Sequence, residues 1–386
     1  MTSTAGATPP LAEPSAKRPF TFVREHGGRA TEINEFYNRF MNLGRPMEAY
    51  LWEFRQGPGG PALIWTIIEA ATDRVVGHHS IVKTPMLDHG TIRPAGRTEN
   101  TIIEPAARTK VFYPGMEKRA LAEALQELGI IYTIHSSGPG RLRERLGYKP
   151  VGRWVVYLPR FSGAYLQALL RRVDNRLPVK LPDAALKAAA VVVAKGGAVL
   201  SRSRLPQDVT LTEIGDIGEI ESEYEAFWNR FRAGYDLTID RSLAFLRWRV
   251  SENPHLAFRT WVIRRSGDLL GIVVAHRHKI GDAVALYIDD IIVGPYDDAS
   301  FDVSVAALSQ MDPAAETIVL MTLAIDTPLH RVLRKRMPWQ ARALDRFGDK
   351  LFDELLALDR DSDEPRPWYV TAIFTEGMDT SREEVA

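Results

Sequence analysis

The chain has 386 residues, with 49 basic and 49 acidic side chains and a pI near 7.2, so its net charge is zero. That balance gives no global attraction to nucleic acid, and DNA is not an expected partner. The absence of cysteine excludes disulfides, thiolate metal sites and a cysteine nucleophile.

In chain order, residues 1–19 lack the apolar centre of a signal peptide and read as a disordered tail. No later stretch is an unbroken apolar span of membrane length, so the expected location is cytoplasmic. Residues 20–24 suit a first strand. Residues 31–43 repeat Ile33, Phe36, Tyr37 and Phe40 at helical spacing, with Thr31 as the expected cap. A second helix is expected over 47–54, ended by the Gly57-Pro58-Gly59-Gly60-Pro61 turn. Two apolar runs, 62–71 and 75–84, flank Thr72-Asp73-Arg74 and read as a hairpin.

The stretch 97–148 is the most informative. A β-branched run at 98–103 predicts a strand that Pro105 ends. Pro114 suits a first helical turn, Met116, Ala120, Leu121, Ala124, Leu125 and Leu128 recur at helical spacing, and Gly129 is the expected stop. A short strand at 130–134, a helix at 139–146 and a strand at 151–158 complete the segment. A strand that passes through a loop into a helix start aims backbone N–H groups and a helix dipole at whatever lies above. Arg108 and Lys110 add positive charge there, so an anionic ligand, a phosphate group, is the expectation.

Here the chain resembles the GNAT superfamily of acyl-CoA-dependent N-acyltransferases. Pro105-Ala106-Ala107-Arg108 matches the start of that family's pyrophosphate loop and its leading Arg, while the two glycine positions hold Val111 and Tyr113. The later family signature falls on 136–148, closing with Leu146-Gly147-Tyr148, and Arg143 stands where the family usually places a general-acid tyrosine. The resemblance implies an α/β mixed sheet flanked by helices. It implies Thr101, Ile103, Arg108, Thr109, Lys110, Val111, Phe112 and Arg143 as contacts of an acyl-CoA, acetyl-CoA or a longer one. Glu99, on the fourth strand, and His135, ending the next, are the candidate bases. His79, Ser136 and Ser137 are candidate substrate contacts. His78 and His79 are adjacent, so at most one of them faces the site.

A repeat follows. Phe36-Tyr37-Asn38-Arg39-Phe40 returns as Phe227-Trp228-Asn229-Arg230-Phe231, Trp52 as Trp248, Pro58 as Pro254, and Val76-Gly77 as Leu270-Gly271. The offset stays between about 190 and 196, as a duplication requires. The second copy continues with strands expected at 257–264, 269–279, 284–293 and 317–324, helices at 301–311 and 328–336, and a closing strand at 368–374. Its counterpart of the phosphate loop, Gly294-Pro295-Tyr296-Asp297-Asp298, is acidic and would repel a pyrophosphate. The reading is two tandem GNAT-like domains, 20–158 with the acyl-CoA site and 207–377 degenerate, before a tail at 378–386.

Between them 159–206 carries nine basic residues, Arg160 to Arg204, against Asp174 and Asp183. It reads as an interdomain linker helix, with contact to an anionic membrane as the functional alternative. No metal site is legible; His276 and His278 share a strand face without a third ligand. The function expected is acyl transfer to the amine of a small molecule or a lipid- or saccharide-linked acceptor. The rivals are a Fem-type aminoacyl transferase and an inactive pair that binds a ligand or a protein.

Overall fold

The protein is described by a computed structural model that covers residues 19–108, 113–135, 140–162, 205–280, 283–347, 354–362 and 366–374, with 182 and 184. The basic stretch expected as a linker helix falls almost wholly outside the described residues.

Strand β1 (Phe20–Glu25) is followed by helices α1 (Ala30–Met41) and α2 (Met47–Arg55). Helix α1 buries Ile33, Phe36 and Tyr37 and ends at Asn42, whose left-handed backbone (φ 53°) returns its N–H to the Asn38 carbonyl. Thr31 is not its cap. The N-cap is Arg29, held by Glu32 and Asp73, and no side chain caps the backbone. Asn38 secures the loop behind the helix through both the N–H and the carbonyl of Arg45.

The meander continues through β2 (Leu63–Glu69) and β3 (Arg74–Lys83) to a small hairpin, β4 (Met86–Asp88) and β5 (Thr91–Arg93). That hairpin differs from the expected order, because strands of three residues each leave no periodic mark in the sequence. It turns on His89 and Gly90, both at positive φ. Then come β6 (Ala95–Ile103), α3 (Pro105–Arg108), α4 (Tyr113–Ala124), β7 (Ile130–His135), α5 (Gly140–Arg145) and β8 (Lys149–Arg160).

The second half repeats this order. It runs through β9 (Val209–Ile214), α6 (Glu221–Phe231), β10 (Thr238–Ile239), α7 (Leu243–Leu246), β11 (Phe258–Arg265), β12 (Asp268–Ile280) and β13 (Ala283–Val293). Next are α8 (Asp298–Leu308), β14 (Thr317–Leu323), α9 (Pro328–Arg336), α10 (Pro338–Phe347) and β15 (Glu354–Asp359). Gly77 and Gly271 recur for a steric reason: a Cβ on Gly77 would stand 2.9 Å from the Ile102 carbonyl oxygen, and one on Gly271 closer still to that of Ile292.

Among the described residues, all but three strands join one 12-stranded sheet in the order β1-β2-β3-β6-β7-β15-β8-β14-β13-β12-β11-β9. The centre of that order is an exchange. β15 lies between β7 and β8, antiparallel to both, and β8 pairs antiparallel with β14. Each half thus places its last strand, β8 or β15, beside the other half's next-to-last, β14 or β7. The repeat-related Trp52 and Trp248 stack with ring centroids 5.0 Å apart. Each indole N–H donates to the other's carbonyl, at 2.9 and 3.1 Å. These tryptophans are interface core, as fully buried aromatics usually are.

The expected closing strand at 368–374 is a correction. Among the described residues the last strand is β15, and 368–374 is an irregular segment with two isolated bridges and a 3-10 turn at Ala372–Phe374. Its nearly unbroken apolar run reads as a strand, but the burial is achieved by wedging between strands.

Candidate functional site

Strands β6 and β7 are parallel and paired over three positions alone: Ala95 with Ile130, Gly96 with Ile131, Arg97 with Tyr132. Beyond these the strands part, and α4 begins above their carboxyl ends. A parallel pair that separates before a helix makes a crevice at the end where ligands enter such sheets. The β6 limb carries a bulge, marked by a register slip against β3 and by φ 47° at Asn100. Without the bulge, Glu99 and Thr101 would share a face. With it, Arg97 and Glu99 face α1 and α2, while Thr101 faces α4.

On the α1/α2 face the charges are buried and mutually compensating. Glu99 is 2% exposed and ion-paired with Arg97. Arg97 also lies 3.8 Å from Glu53 and donates to the Phe374 carbonyl at 3.0 Å. Arg45 reaches Glu53 at 3.4 Å. Arg249, from the second half, is fully buried among Arg97, Glu53, Glu99 and Asp289; its burial, followed by the Arg97 charge, pulls it down to about 10.

On the α4 face the two limbs each carry a threonine. Thr101 meets His79 Nδ1 at 2.7 Å, and Thr133 accepts from Arg143 Nη1 at 2.6 Å. Arg143 Nε also donates to Glu117 of α4, at 3.3 Å. Burial, then the charge of Arg143, pushes His79 down to about 3, so it is neutral at physiological pH. Its Nε2 is buried with no hydrogen-bond partner among the described residues. His78 points to the other face, edge-on to Phe36, and is likewise pushed down to about 3, by burial first and then by Arg45.

Of the residues singled out in the sequence, Glu99, Thr101, His79 and Arg143 gather at the parting of the strands. Ile103 is buried further along β6, against Ile67, Val76 and Met116. Arg108 is exposed at the carboxyl end, its Nε donating to the Ile103 carbonyl at 3.0 Å and its guanidinium over the Phe40 ring. His135 ends β7, but its side chain lies outside the described residues, as do Thr109, Lys110, Val111, Phe112, Ser136 and Ser137. Sequence reasoning missed Arg97, Glu117 and Thr133. Spacing puts Arg97 and Glu99 on one face of the strand, but their neighbours Gly96, Thr98 and Asn100 give no local mark that this face is buried.

The second half has the same parting. β13 and β14 are parallel from Ala285–Thr317 to Ile288–Leu320, and β13 is bulged at Asp289. Here the chain's own 368–374 fills the gap. Thr371 donates to Asp290 at 2.7 Å, Thr322 donates to the Val370 carbonyl at 2.8 Å, and Tyr369 bonds the Ile291 carbonyl. Arg241, wholly buried, grips Asp290 with two donors at 2.6 and 3.1 Å. A 3-10 turn and its flanks occupy the crevice as a ligand would.

No family model matches this chain, and no curated protein matches it. Solved structures do. A probable N-acyltransferase from Enterococcus faecalis superposes over 88% of this chain and 72% of its own, at TM-score 0.56 and 12% identity. A GCN5-related N-acetyltransferase from Anabaena variabilis gives 88% and 73%, TM-score 0.56 and 13% identity. The N-myristoyltransferase of Saccharomyces cerevisiae, solved with bound myristoyl-CoA, gives 92% and 85%, TM-score 0.51 and 11% identity. The fold is that of the GNAT superfamily. Among the described residues this chain has two parallel pairs that part, β6/β7 and β13/β14. Among the described residues no helix is long and apolar enough to cross a membrane, and no three His, Asp or Glu side chains group as a metal site.

Proposed function

We propose that the chain is an acyl-CoA-dependent N-acyltransferase that works at the β6/β7 parting. One observation carries this reading: of two equivalent partings, β13/β14 is filled by 368–374, whereas no described segment bridges β6 and β7 beyond Arg97 and Tyr132. A thioester arm that is extended and rich in amides suits diverging strand limbs, whose unpaired backbone groups need partners. The exposed Arg108 and the start of α4 supply positive charge at the carboxyl end for the diphosphate. The acidic Asp297-Asp298 start of α8 offers no such seat. The solved neighbours, one with an acyl-CoA bound, support the same donor class.

In this reading the amine approaches from the α1/α2 face, where Glu99 accepts its proton. His135 is the alternative base, and Thr109 to Phe112 form the phosphate loop. Ser136 and Ser137 hold the acceptor or the pantetheine arm. The acceptor is an amine on a small molecule or on a lipid- or saccharide-linked carrier, and the reaction is cytoplasmic. Isothermal titration with acetyl-CoA and with longer acyl-CoAs tests the donor. One molecule bound per chain is expected, and no heat with any of them ends the proposal. Glu99→Gln is expected to leave donor binding in place and to lower turnover by about 10² or more.

A further inference from the structure

The α4 face of the β6/β7 parting holds one buried cation beside the place where the strands separate. Arg143 is held by Thr133, the first β7 residue past the last pair with β6, and by Glu117. On the opposite limb His79 is locked to Thr101. Arg143 is thus bonded to the β7 limb through Thr133, and His79 to the β6 limb through Thr101, both on the α4 face. Glu99 lies across the sheet on the other face. A thioester drawn between the limbs would have a carboxylate on one side and a guanidinium on the other.

Resting on the acyltransferase reading, we infer that Arg143 is a catalytic residue that stabilises the departing sulfur as a thiolate. The amine nitrogen attacks the thioester carbonyl carbon, and the amine's proton passes to the base on the α1/α2 face. The carbon–sulfur bond breaks, and its electron pair leaves on sulfur. A guanidinium stays charged across the working pH range and donates no proton, so sulfur leaves as an anion matched by a fixed charge. Glu117 compensates that cation at the Nε edge of the guanidinium, as a buried charge requires. His79, neutral and held to Thr101, adds no competing charge. Among the described residues, Glu117 bonds to Arg143, and His79 feels its charge.

Free coenzyme A is the probe, because its thiol is the leaving group and no acceptor is needed. Thiolate absorbance in the ultraviolet is followed against pH for bound and for free coenzyme A. With the wild-type chain the bound thiol is expected to titrate about one to three pH units below the free one. In Arg143→Gln the difference should vanish. That variant leaves Glu117 buried without its partner, so Arg143→Gln/Glu117→Gln, which is neutral overall, guards against misfolding and should behave the same way. Arg143→Lys should keep part of the difference. Equal thiol titration in the wild type and the double variant overturns the inference alone. Failure of coenzyme A to bind the wild-type chain overturns the transferase reading as well.

Discussion

The two partings start from one design and differ in how their polar groups are satisfied. In β6/β7 the polar side chains are tied in pairs along the limbs: His79 with Thr101, Arg143 with Thr133, Arg97 with Glu99. In β13/β14 the pairs converge on an inserted segment, so Asp290, Arg241, Thr322 and Thr371 meet within one sealed knot. A duplicated crevice can therefore be retained as a ligand site or converted into structure. The conversion takes a peptide whose backbone satisfies the limbs.

The largest expected effect falls on the filled side. Arg241→Ala removes one partner of a wholly buried, doubly bonded ion pair, so a loss of about 3–5 kcal/mol in urea unfolding is expected. A loss below about 1 kcal/mol would mean that the segment does not hold that crevice closed.

Next is pH. His78 and His79 fold with values near 3, so below about pH 6.5 the unfolded chain binds protons there that the folded chain does not. Stability is expected to fall by up to a few kcal/mol as pH drops through that window, and His78→Gln should flatten the slope. His276, in the second half, runs the other way. Burial works against its charge, but the charge of Asp289 and a 2.7 Å hydrogen bond outweigh it and raise the value. Its contribution is present below about pH 6.5 and is lost as pH rises through the folded value, so His276→Gln should cost more at about pH 6 than at about pH 8. Equal cost at both would refute the ion pair.

Thr371→Val takes one hydrogen bond from Asp290 but leaves Arg241 in place, and about 1–3 kcal/mol is expected from thermal unfolding. The smallest effect belongs to Arg331→Ala. Its bonds to Asp298 and Asp326 are exposed, and a change within about 1 kcal/mol is expected; a larger one would give α9 a role that the comparison denies it.

Local pattern fixed a good deal of this protein. The spacing of Ile33, Phe36 and Tyr37 made α1, the apolar runs made β2 and β3, and the recurrence of Phe-aromatic-Asn-Arg-Phe, Trp52/Trp248 and Gly77/Gly271 revealed the duplication. These features were legible because helical spacing, strand burial and close backbone approach act within a few residues or recur in register. Of the candidate site, Glu99, Thr101, His79 and Arg143 were legible through the family likeness. Arg97, Glu117 and Thr133 were not, because what gives them a role is a partner up to 277 positions away.

Only the tertiary structure decided that β8 and β15 change places between the halves, that Trp52 and Trp248 meet face to face, and that 368–374 fills one crevice while the other keeps its limbs apart. A short apolar run such as 354–359 or 368–374 carries no mark of which distant strand edge it will satisfy. That choice is made by unpaired N–H and C=O groups brought together in the folded core, where each must find a partner.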